Sequence, residues 1–453
     1  MMFPAHFWRN FAILWVAIVG LLGTAILLNN HQDIWTSATK PNSSLKSTVS
    51  SNNSGESEAA LLAKGQELLI LGNCIACHTD RGAAPGAGGR EFETPFGKVY
   101  SSNITADSQH GIGQWDTQDF WRALHHGKSK DGRLLTPVFP YQHTTLITRE
   151  DSDALLAALK KLPAAPNAIP IPKPSETLDW PYGTAVAIAV WRSLFFTPGT
   201  YVPESRQSAE WNRGAYIAQG LAHCAACHSE RNSWGALSAV NDFSGGLLPV
   251  LNWYAPSLTS AKETGLASQS VADIALFLKA GQNDQAIASG PMAEVVQHST
   301  QYWLDSDLNA VATYLKDMAS KAPQIALKAS SESMKKPSTS ARVLSQGAKI
   351  YEQHCEQCHQ AQGQGVPGAY PALANNRAIL LNDPTNLVQS VLYGGYPAAT
   401  QLNPRPYGMP PYILDLDDRE IAAVLTHLRT QWGNQAAEVT PLQVNRIRAL
   451  QGQ

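Results

Sequence analysis

All six cysteines of this 453-residue chain lie in three copies of one short pattern, Cys-x-x-Cys-His. This pattern is typical of covalent haem c attachment, in which two thiols bind the porphyrin and the adjacent imidazole binds the iron. A redox dithiol does not need the histidine, and zinc binding by two cysteines and the neighbouring histidine would be sterically awkward. The sequence therefore predicts three covalently bound haems c. The predicted attachment residues are Cys74, Cys77, Cys224, Cys227, Cys355 and Cys358, and the predicted proximal ligands are His78, His228 and His359.

Two methionines are candidates for the sixth iron ligand. Met409 lies in the sequence Tyr-Gly-Met-Pro-Pro after the third motif, where flanking prolines would hold a ligand loop rigid. Met292 follows Gly290 and Pro291 after the second motif. Methionine–histidine ligation raises the potential of a haem and suits electron transfer. We expect both methionines to bind iron, and the alternative for each is a packing role.

The segment after the first motif contains no methionine before the second motif. Phe139 stands where a methionine is expected, and His143 follows four residues later. We favour His143 as the sixth ligand, which would lower the potential of this haem. Two alternatives remain open, namely another histidine or an iron that is open or bound to water. The other histidines are His110, His125 and His126.

Composition limits the function classes. The net charge is −2 and the pI about 6.7, so the strongly basic face of a nucleic-acid-binding protein is not expected. Charged residues make up only 15%, while the chain has 33 Gly, 28 Pro and 12 Trp. This composition is typical of small, loop-rich domains wrapped around a bulky apolar group.

The N-terminal part contains an apolar run over Phe11–Leu28. As a helix it would be about 27 Å long, close to the hydrocarbon thickness of a membrane. We expect an uncleaved anchor, and the alternatives are a cleaved signal peptide or a soluble core helix. The uncleaved anchor and the cleaved signal peptide would both export the remaining chain. Haem c attachment also implies export, because bacteria complete it in the periplasm. The expected location is the cell inner membrane, on its periplasmic side.

The fold class that we predict is mainly α, with three tandem class I cytochrome c-like domains after an N-terminal transmembrane helix. Linkers rich in Ser, Pro or Lys separate these domains. The predicted divisions are a membrane anchor or signal at 1–35, a flexible tether at 36–58, domain 1 at 59–165, a Pro-rich linker with an apolar packing segment at 166–204, domain 2 at 205–320, a linker at 321–340, domain 3 at 341–433 and a polar tail at 434–453.

Each predicted domain has an opening helix that carries a glycine and a closing helix that begins near an aspartate. We expect the glycine to let the closing helix cross the opening helix closely. The opening helices are expected at Ala60–Leu71 with Gly65, Asn212–Leu221 with Gly214 and Leu344–His354 with Gly347. The closing helices are expected at Asp151–Leu162, Asp305–Met318 and Asp417–Trp432. The apolar stretch Val186–Phe196 lies outside these domains, and we expect it to pack between the first two; contact with a partner or a membrane is the alternative.

Beyond these motifs, the chain resembles the three-haem cytochrome c subunits of bacterial membrane-bound dehydrogenases for alcohols, gluconate, aldehydes and sugars. The resemblance covers about residues 60–433. Characteristic stretches are Thr94–Gly97, Ser102–Thr105, Gly111–Trp115, Asp119–Leu124, Asp131–Leu134 and Glu210–Tyr216. The chain departs from many relatives at Phe139, which replaces a methionine, and in its anchoring, since its tail is polar where relatives often have a C-terminal membrane helix.

The resemblance implies an electron-transfer role. Such a subunit takes electrons from a catalytic subunit, a quinoprotein or flavoprotein, and passes them to ubiquinone or a terminal oxidase at the cytoplasmic membrane. It also implies that the cysteine pairs, their histidines, Met292 and Met409 serve as haem ligands. We therefore interpret the chain as an electron-transfer subunit without substrate chemistry of its own. The alternatives are a multihaem enzyme, peroxidase-like or of the thiosulfate-oxidoreductase type, with an open first haem, and a haem-based sensor or storage protein.

Overall fold

A computed structural model describes residues 20–21, 23–30, 54–165, 171–239, 241–248, 250–322 and 340–450. The described chain is mainly helical, which confirms that part of the predicted fold class. We refer to residues 54–165, 205–322 and 340–450 as the first, second and third segments, each built around one Cys-x-x-Cys-His motif. The α-helices are Ser54–Leu71, Cys74–Cys77, Thr117–His126, Tyr141–Thr144, Arg149–Leu159, Pro174–Thr177, Ala185–Phe195, Ala209–Tyr216, Ala225–His228, Val271–Ala280, Pro291–His298, Asp305–Lys321, Ala341–His354, Glu356–His359, Arg377–Leu380, Thr385–Tyr393, Asp418–Thr430 and Pro441–Leu450.

Short elements complete the described chain. A π-helical turn continues the opening helix of the second segment over Ile217–Leu221, and 3-10 turns occur at Leu266–Ser268 and Thr300–Tyr302. The strands pair as two-stranded antiparallel sheets, in which Glu91 faces Tyr100, Gly246 faces Ala255 and Gln282 faces Ile287. The paired strands are Glu91–Thr94 with Gly97–Tyr100, Gly246–Leu248 with Trp253–Ala255, and Gln282–Asn283 with Ala286–Ile287.

The expectation of three tandem domains is wrong. The chain divides into two compact units, one comprising the described residues up to Gln66 together with Cys77–Tyr201, and the other comprising Glu67–Ala76 with the described residues from Val202 onward. The second and third segments therefore share one unit. The physical reason is a set of hydrogen bonds between their side chains and backbones, such as those of Asn386 with the backbone of Tyr254.

The expectation of an N-terminal transmembrane helix is also wrong. Across the described ranges, no helix combines the length and the apolar character needed to cross a membrane. Residues 20–21 and 23–30 are helical, and the buried side chain of Asn30 donates hydrogen bonds to the Ile26 and Ala189 carbonyls. Most of the predicted run Phe11–Leu28 lies outside the described residues, as do most of the predicted linkers 36–58 and 321–340.

The predicted glycine crossings are confirmed in all three segments. At each one, a Cβ atom on the glycine would lie less than 3.0 Å from a backbone oxygen of the closing helix, which real Cβ atoms do not tolerate. Opening and closing helices therefore touch backbone to backbone. The contacts join Gly65 to Ala154, Gly214 to Ala310 and Gly347 to Ala423.

Capping residues define where the closing helices start. The closing helix of the third segment begins after Asp417, whose carboxylate accepts hydrogen bonds from the backbone N–H groups of Arg419 and Glu420, both at 2.8 Å. The Glu420 side chain accepts in return from the Asp417 N–H, which completes a capping box. The closing helix of the first segment is capped by Thr148 and begins at Arg149, two residues before the start expected from the sequence.

The Asp417 cap gives a testable stability effect. We expect Asp417→Ala to lower the free energy of unfolding by about 1 kcal/mol, because two N–H groups of the first turn lose their acceptor. Denaturant titration of the haem-loaded protein measures the change. The exposed Asp415 provides the matched control, Asp415→Ala. Equal stability of the two variants would contradict the cap.

The third segment includes more of the chain than its expected range. Helix Pro441–Leu450 packs Val444 and Ile447 into the core of this segment, although the sequence suggested only a polar tail. Arg448 on the same helix bonds to the carboxylate of Asp418. The C-terminal stretch therefore stabilises the closing helix.

The apolar stretch Val186–Phe196 forms helix Ala185–Phe195 and packs within the first unit. The ring of Trp191 meets the ring of Tyr141 edge-on at 6.3 Å, and Phe196 does so at 4.8 Å. Arg192 is buried and stacks over Tyr141 and Phe196, with its charge against the faces of both rings. The stretch therefore belongs to the core of the first unit.

Candidate haem-binding sites

Each Cys-x-x-Cys-His motif folds into one short helical turn. The turns cover Cys74–Cys77, Ala225–His228 and Glu356–His359. A helical turn of 3.6 residues brings residues three apart onto the same side, so the two thiols of each pair are neighbours. None of the cysteines is joined in a disulfide, and all but Cys227, which is exposed, are half-buried. Each turn can therefore present two thiols to one planar group.

The histidine of every motif is held by a backbone carbonyl. A carbonyl oxygen can only accept, so Nδ1 of each ring carries the proton and Nε2 carries the lone pair. Such a bond fixes the tautomer and the orientation of a metal-binding imidazole. The pairs are His78 Nδ1 with Ser102 O at 2.7 Å, His228 Nδ1 with Pro256 O at 2.7 Å, and His359 Nδ1 with Pro371 O at 2.9 Å.

Burial sets the protonation of these groups. It lowers the pKa of His78, His228 and His359, against the smaller raising effect of the carbonyl bonds, which favours the neutral form that binds metal. Burial also raises the pKa of the Cys224 and Cys355 thiols to about 12. A raised pKa keeps these two thiols protonated near neutral pH, and the thiolate is the reactive form of cysteine.

Within the described ranges, no group of three or more His, Cys, Asp or Glu side chains is arranged to hold a metal ion. A tetrahedral zinc site needs three or four such ligands. The paired thiols with one tautomer-fixed imidazole instead match the donor set that haem c requires.

Met409 is brought to the third motif by its loop. Its backbone pairs with Gly395 through two hydrogen bonds of 2.8 and 3.0 Å, and the Tyr412 hydroxyl donates to the carbonyl of His354, directly before the motif, at 2.7 Å. Met409 and Cys355 pack against the same hydrophobic core. This placement fits the predicted ligand role, which stays a prediction.

Met292 lies in the first turn of helix Pro291–His298, directly after Pro291. Its side chain packs with Phe277 against a small apolar cluster that includes Val296. Gly290, before the helix, has a φ of +52° and lies against the ring of Trp253. Contact with the Trp253 ring therefore holds the start of this helix in place, which fits a ligand position. Ligation by Met292 also stays a prediction.

Comparison with known proteins identifies the family. The family model for cytochrome c matches residues 344–432. The chain is 35% identical over 389 residues to the cytochrome c subunit of alcohol dehydrogenase (quinone) from Gluconobacter oxydans (strain 621H), covering 84% of this chain and 80% of that protein. It is 32% identical to the gluconate 2-dehydrogenase cytochrome c subunit of Pantoea cypripedii, over 86% of this chain and 90% of that subunit.

The chain belongs to the cytochrome c subunits of dehydrogenases. The fructose dehydrogenase cytochrome subunit of Gluconobacter japonicus is a further relative, 32% identical over 86% of this chain and 82% of that subunit. The predicted resemblance is confirmed, as are haem c as the cofactor type and electron transfer as the role.

In the first segment of this cytochrome c subunit, His143 lies on the short helix Tyr141–Thr144 and is only 1% exposed. Phe139, at the position where a methionine was expected, is half-buried just before it. Burial is compatible with an iron ligand and equally with a core residue, so the role of His143 stays a prediction.

The alternative histidines of the first segment lie in different surroundings. His125 stacks on Trp121, with 4.3 Å between ring centroids, and the buried His126 meets His125 edge-on at 4.7 Å. His110 is half-exposed and lies 3.4 Å from the carboxylate of Asp107. The rings of His125 and His126 thus pack along helix Thr117–His126, and ligation by another histidine stays an untested alternative.

Sequence reasoning missed the carbonyl partners of the three histidines. They lie 24, 28 and 12 residues beyond their histidines, so no fixed spacing reveals them. Only Ser102 carried a signal, because it falls in the stretch Ser102–Thr105 that contributed to the family resemblance. Pro256 and Pro371 follow no recognisable motif.

Proposed function

We propose that this cytochrome c subunit holds three haems c and relays electrons from a dehydrogenase to ubiquinone or a terminal oxidase. We place it on the periplasmic side of the cytoplasmic membrane, where haem c attachment is completed. The observation that carries the proposal is the repeated arrangement of the three motif histidines, each with Nδ1 bonded to a backbone carbonyl. One such arrangement suits one haem, and the chain has three.

The chain's own residues have separate roles in this relay. Haem c, when bound, supplies a one-electron couple that is tuned by its axial ligands. The cysteine pairs would hold the group covalently and the motif histidines would bind its iron, while the carbonyls of Ser102, Pro256 and Pro371 hold the imidazoles in orientation. Met292 and Met409 would supply the second iron ligand in the second and third segments. A closed iron leaves no position for a substrate, which favours relay over catalysis.

The partner in this proposal is a catalytic dehydrogenase subunit, a quinoprotein or a flavoprotein. Three relatives are named as cytochrome subunits of alcohol, gluconate and fructose dehydrogenases. Oxidation of the substrate would then occur on the partner, and this subunit would carry the electrons away.

A second candidate function rests on Phe139. A phenylalanine side chain cannot bind iron, so a first haem that His143 does not close would have an open position. An iron of this kind could bind a small molecule and perform peroxidase-like or thiosulfate-type chemistry. A high-spin signal in the electron paramagnetic resonance spectrum of the oxidised parent protein would favour this candidate over the relay.

Haem counting tests the proposal directly. We expect three haems per chain when the protein is produced in a host that matures c-type cytochromes. Each double variant, such as Cys355→Ala with Cys358→Ala, is expected to lose one haem, because its thioether bonds cannot form. The alkaline pyridine haemochrome spectrum, divided by protein concentration, measures the count. A parent with fewer than three haems would contradict the proposal.

The same variants test the relay. Solubilised membranes that contain the partner dehydrogenase are given substrate and a water-soluble ubiquinone, and quinone reduction is followed. We expect each haem-depleted variant to slow this reduction while the dehydrogenase still reduces an artificial dye acceptor at the parent rate. Unchanged quinone reduction in all three variants would place the electron path outside this chain.

A further inference from the structure

We propose that helix Thr385–Tyr393 of the third segment positions the methionine loops of two haem sites, its own and that of the second segment. This inference rests on the proposed function, in which Met292 and Met409 bind iron. It assigns positioning roles to Asn386 and Trp253, neither of which is a ligand.

The first half of the helix forms hydrogen bonds to strand Trp253–Ala255 of the second segment and to the residue before it. The side-chain oxygen of Asn386 accepts from the Tyr254 N–H at 2.7 Å, and its amide N–H donates to the Tyr254 carbonyl at 2.7 Å. The amide of Gln389, which is 1% exposed, donates to the carbonyl of Asn252 at 3.1 Å. The outer edge of strand Trp253–Ala255 is thereby paired by side chains in the way that another strand would pair it.

Strand Trp253–Ala255 in turn contacts the loop of Met292. A Cβ atom on Gly290 would lie 2.5 Å from the ring of Trp253, so the backbone of Gly290 rests directly on that ring. The φ of +52° at Gly290 favours glycine, which has no Cβ to exclude. Pro291 and Met292 follow at once, so a shift of the Trp253 ring must move the start of the methionine helix.

The other end of helix Thr385–Tyr393 holds the loop of Met409. The carbonyls of Val391 and Leu392 accept from the N–H groups of Tyr412 and Ile413, at 3.0 and 3.1 Å. Gly395, two residues beyond the end of the helix, pairs with Met409 as described above. One helix thus contacts the structures on which both methionines depend.

Other contacts would keep the second and third segments together if the hydrogen bonds of Asn386 were lost. Arg377 bonds to the side chain and backbone of Gln285, and the Gln301 side chain bonds to the backbones of Ala399 and Gln401. Removing the Asn386 side chain therefore loosens the strand of Trp253 without separating the segments. This consequence is specific, because a substitution in the third segment should change the ligation of the iron in the second segment.

The experiment uses the full haem-loaded chain with Asn386→Ala and, separately, Trp253→Leu. Ferric haem with a methionine ligand has a weak absorption band at the red end of the visible spectrum. We expect each variant to keep its haem count but to lose about half of this band, since one of the two methionine-ligated haems is affected. One of the haem potentials should fall in a spectroelectrochemical titration, because loss of methionine ligation lowers the potential.

Asn445→Ala is the matched control, because Asn445 is an exposed asparagine of the same segment that bonds only at the surface, to Asp418. We expect the parent spectrum and potentials in this control. If both test variants keep the full band and all the potentials, helix Thr385–Tyr393 does not position Met292 and the inference is overturned. If the parent itself lacks the band, its haems have no methionine ligand. That result would overturn both the inference and the part of the proposed function that assigns Met292 and Met409 to iron. If Asn386→Ala does not accumulate, Trp253→Leu decides alone.

Discussion

Replacing Gly214 by alanine is expected to lower the free energy of unfolding by at least about 3 kcal/mol, beyond the usual cost of one extra methyl group in a core. The new Cβ would overlap the carbonyl oxygen of Ala310 on the closing helix. Both partners are fixed atoms of the main chain or attached directly to it, so no side-chain rotation relieves the overlap. Helices Ala209–Tyr216 and Asp305–Lys321 would have to move apart.

The direction of this effect is diagnostic. Alanine is the better helix former by about 1 kcal/mol, so the same substitution at an uncrowded helical site would stabilise the protein. Gly199→Ala is the control, because a Cβ there meets nothing within 4 Å. Denaturant unfolding of the parent and both variants, each loaded with haem, gives the comparison. A Gly214→Ala protein as stable as the Gly199→Ala protein would rule out the close crossing.

The parts that the sequence predicted correctly depend on local patterns. The glycines at 65, 214 and 347 could be placed on opening helices because apolar periodicity and the following haem motif bound each helix. Met409 could be placed in a loop because prolines follow it and the closing helix starts soon after. In each case neighbouring residues in the chain determine the local structure, and the sequence displays them together.

The parts that the sequence did not predict depend on contacts between distant residues. Asn386 lies 132 residues from the backbone groups of Tyr254 that it bonds, and an asparagine in an amphipathic helix gives no sign of such a partner. These contacts join the second and third segments into one unit, so the expected three domains became two. The Pro256 and Pro371 carbonyls were missed for a related reason, because any residue has a carbonyl and only the fold selects which one meets the histidine.

The helix Pro441–Leu450 illustrates a different limit. Its apolar face consists of few residues, with Val444 and Ile447 buried between polar or charged neighbours. A stretch with so weak a pattern resembles a solvated tail. Tertiary contacts, including the bond of Arg448 to Asp418, stabilise the helix beyond its own propensity.

Replacing Met409 by leucine is expected to lower the potential of the third haem by on the order of 100 mV or more, within the span of about 0.8 V that axial ligands control. Leucine nearly matches methionine in volume, so the core against which Met409 packs should survive the change. The thioether sulfur is lost, and no other methionine lies between the third motif and the C-terminus. The ferric protein should then gain a high-spin signal in electron paramagnetic resonance.

Met318→Leu is the matched control, because Met318 is half-buried on the closing helix of the second segment and is not part of an expected ligand loop. Spectroelectrochemical titration should show the parent potentials in the control and one lowered potential in Met409→Leu. Unchanged potentials in both would leave Met409 with a packing role alone. Because Asn386→Ala is expected to act on the second haem and Met409→Leu on the third, the double variant should lower two different potentials by independent amounts. If Asn386→Ala instead shifts the same potential as Met409→Leu, the helix holds only the loop of its own segment.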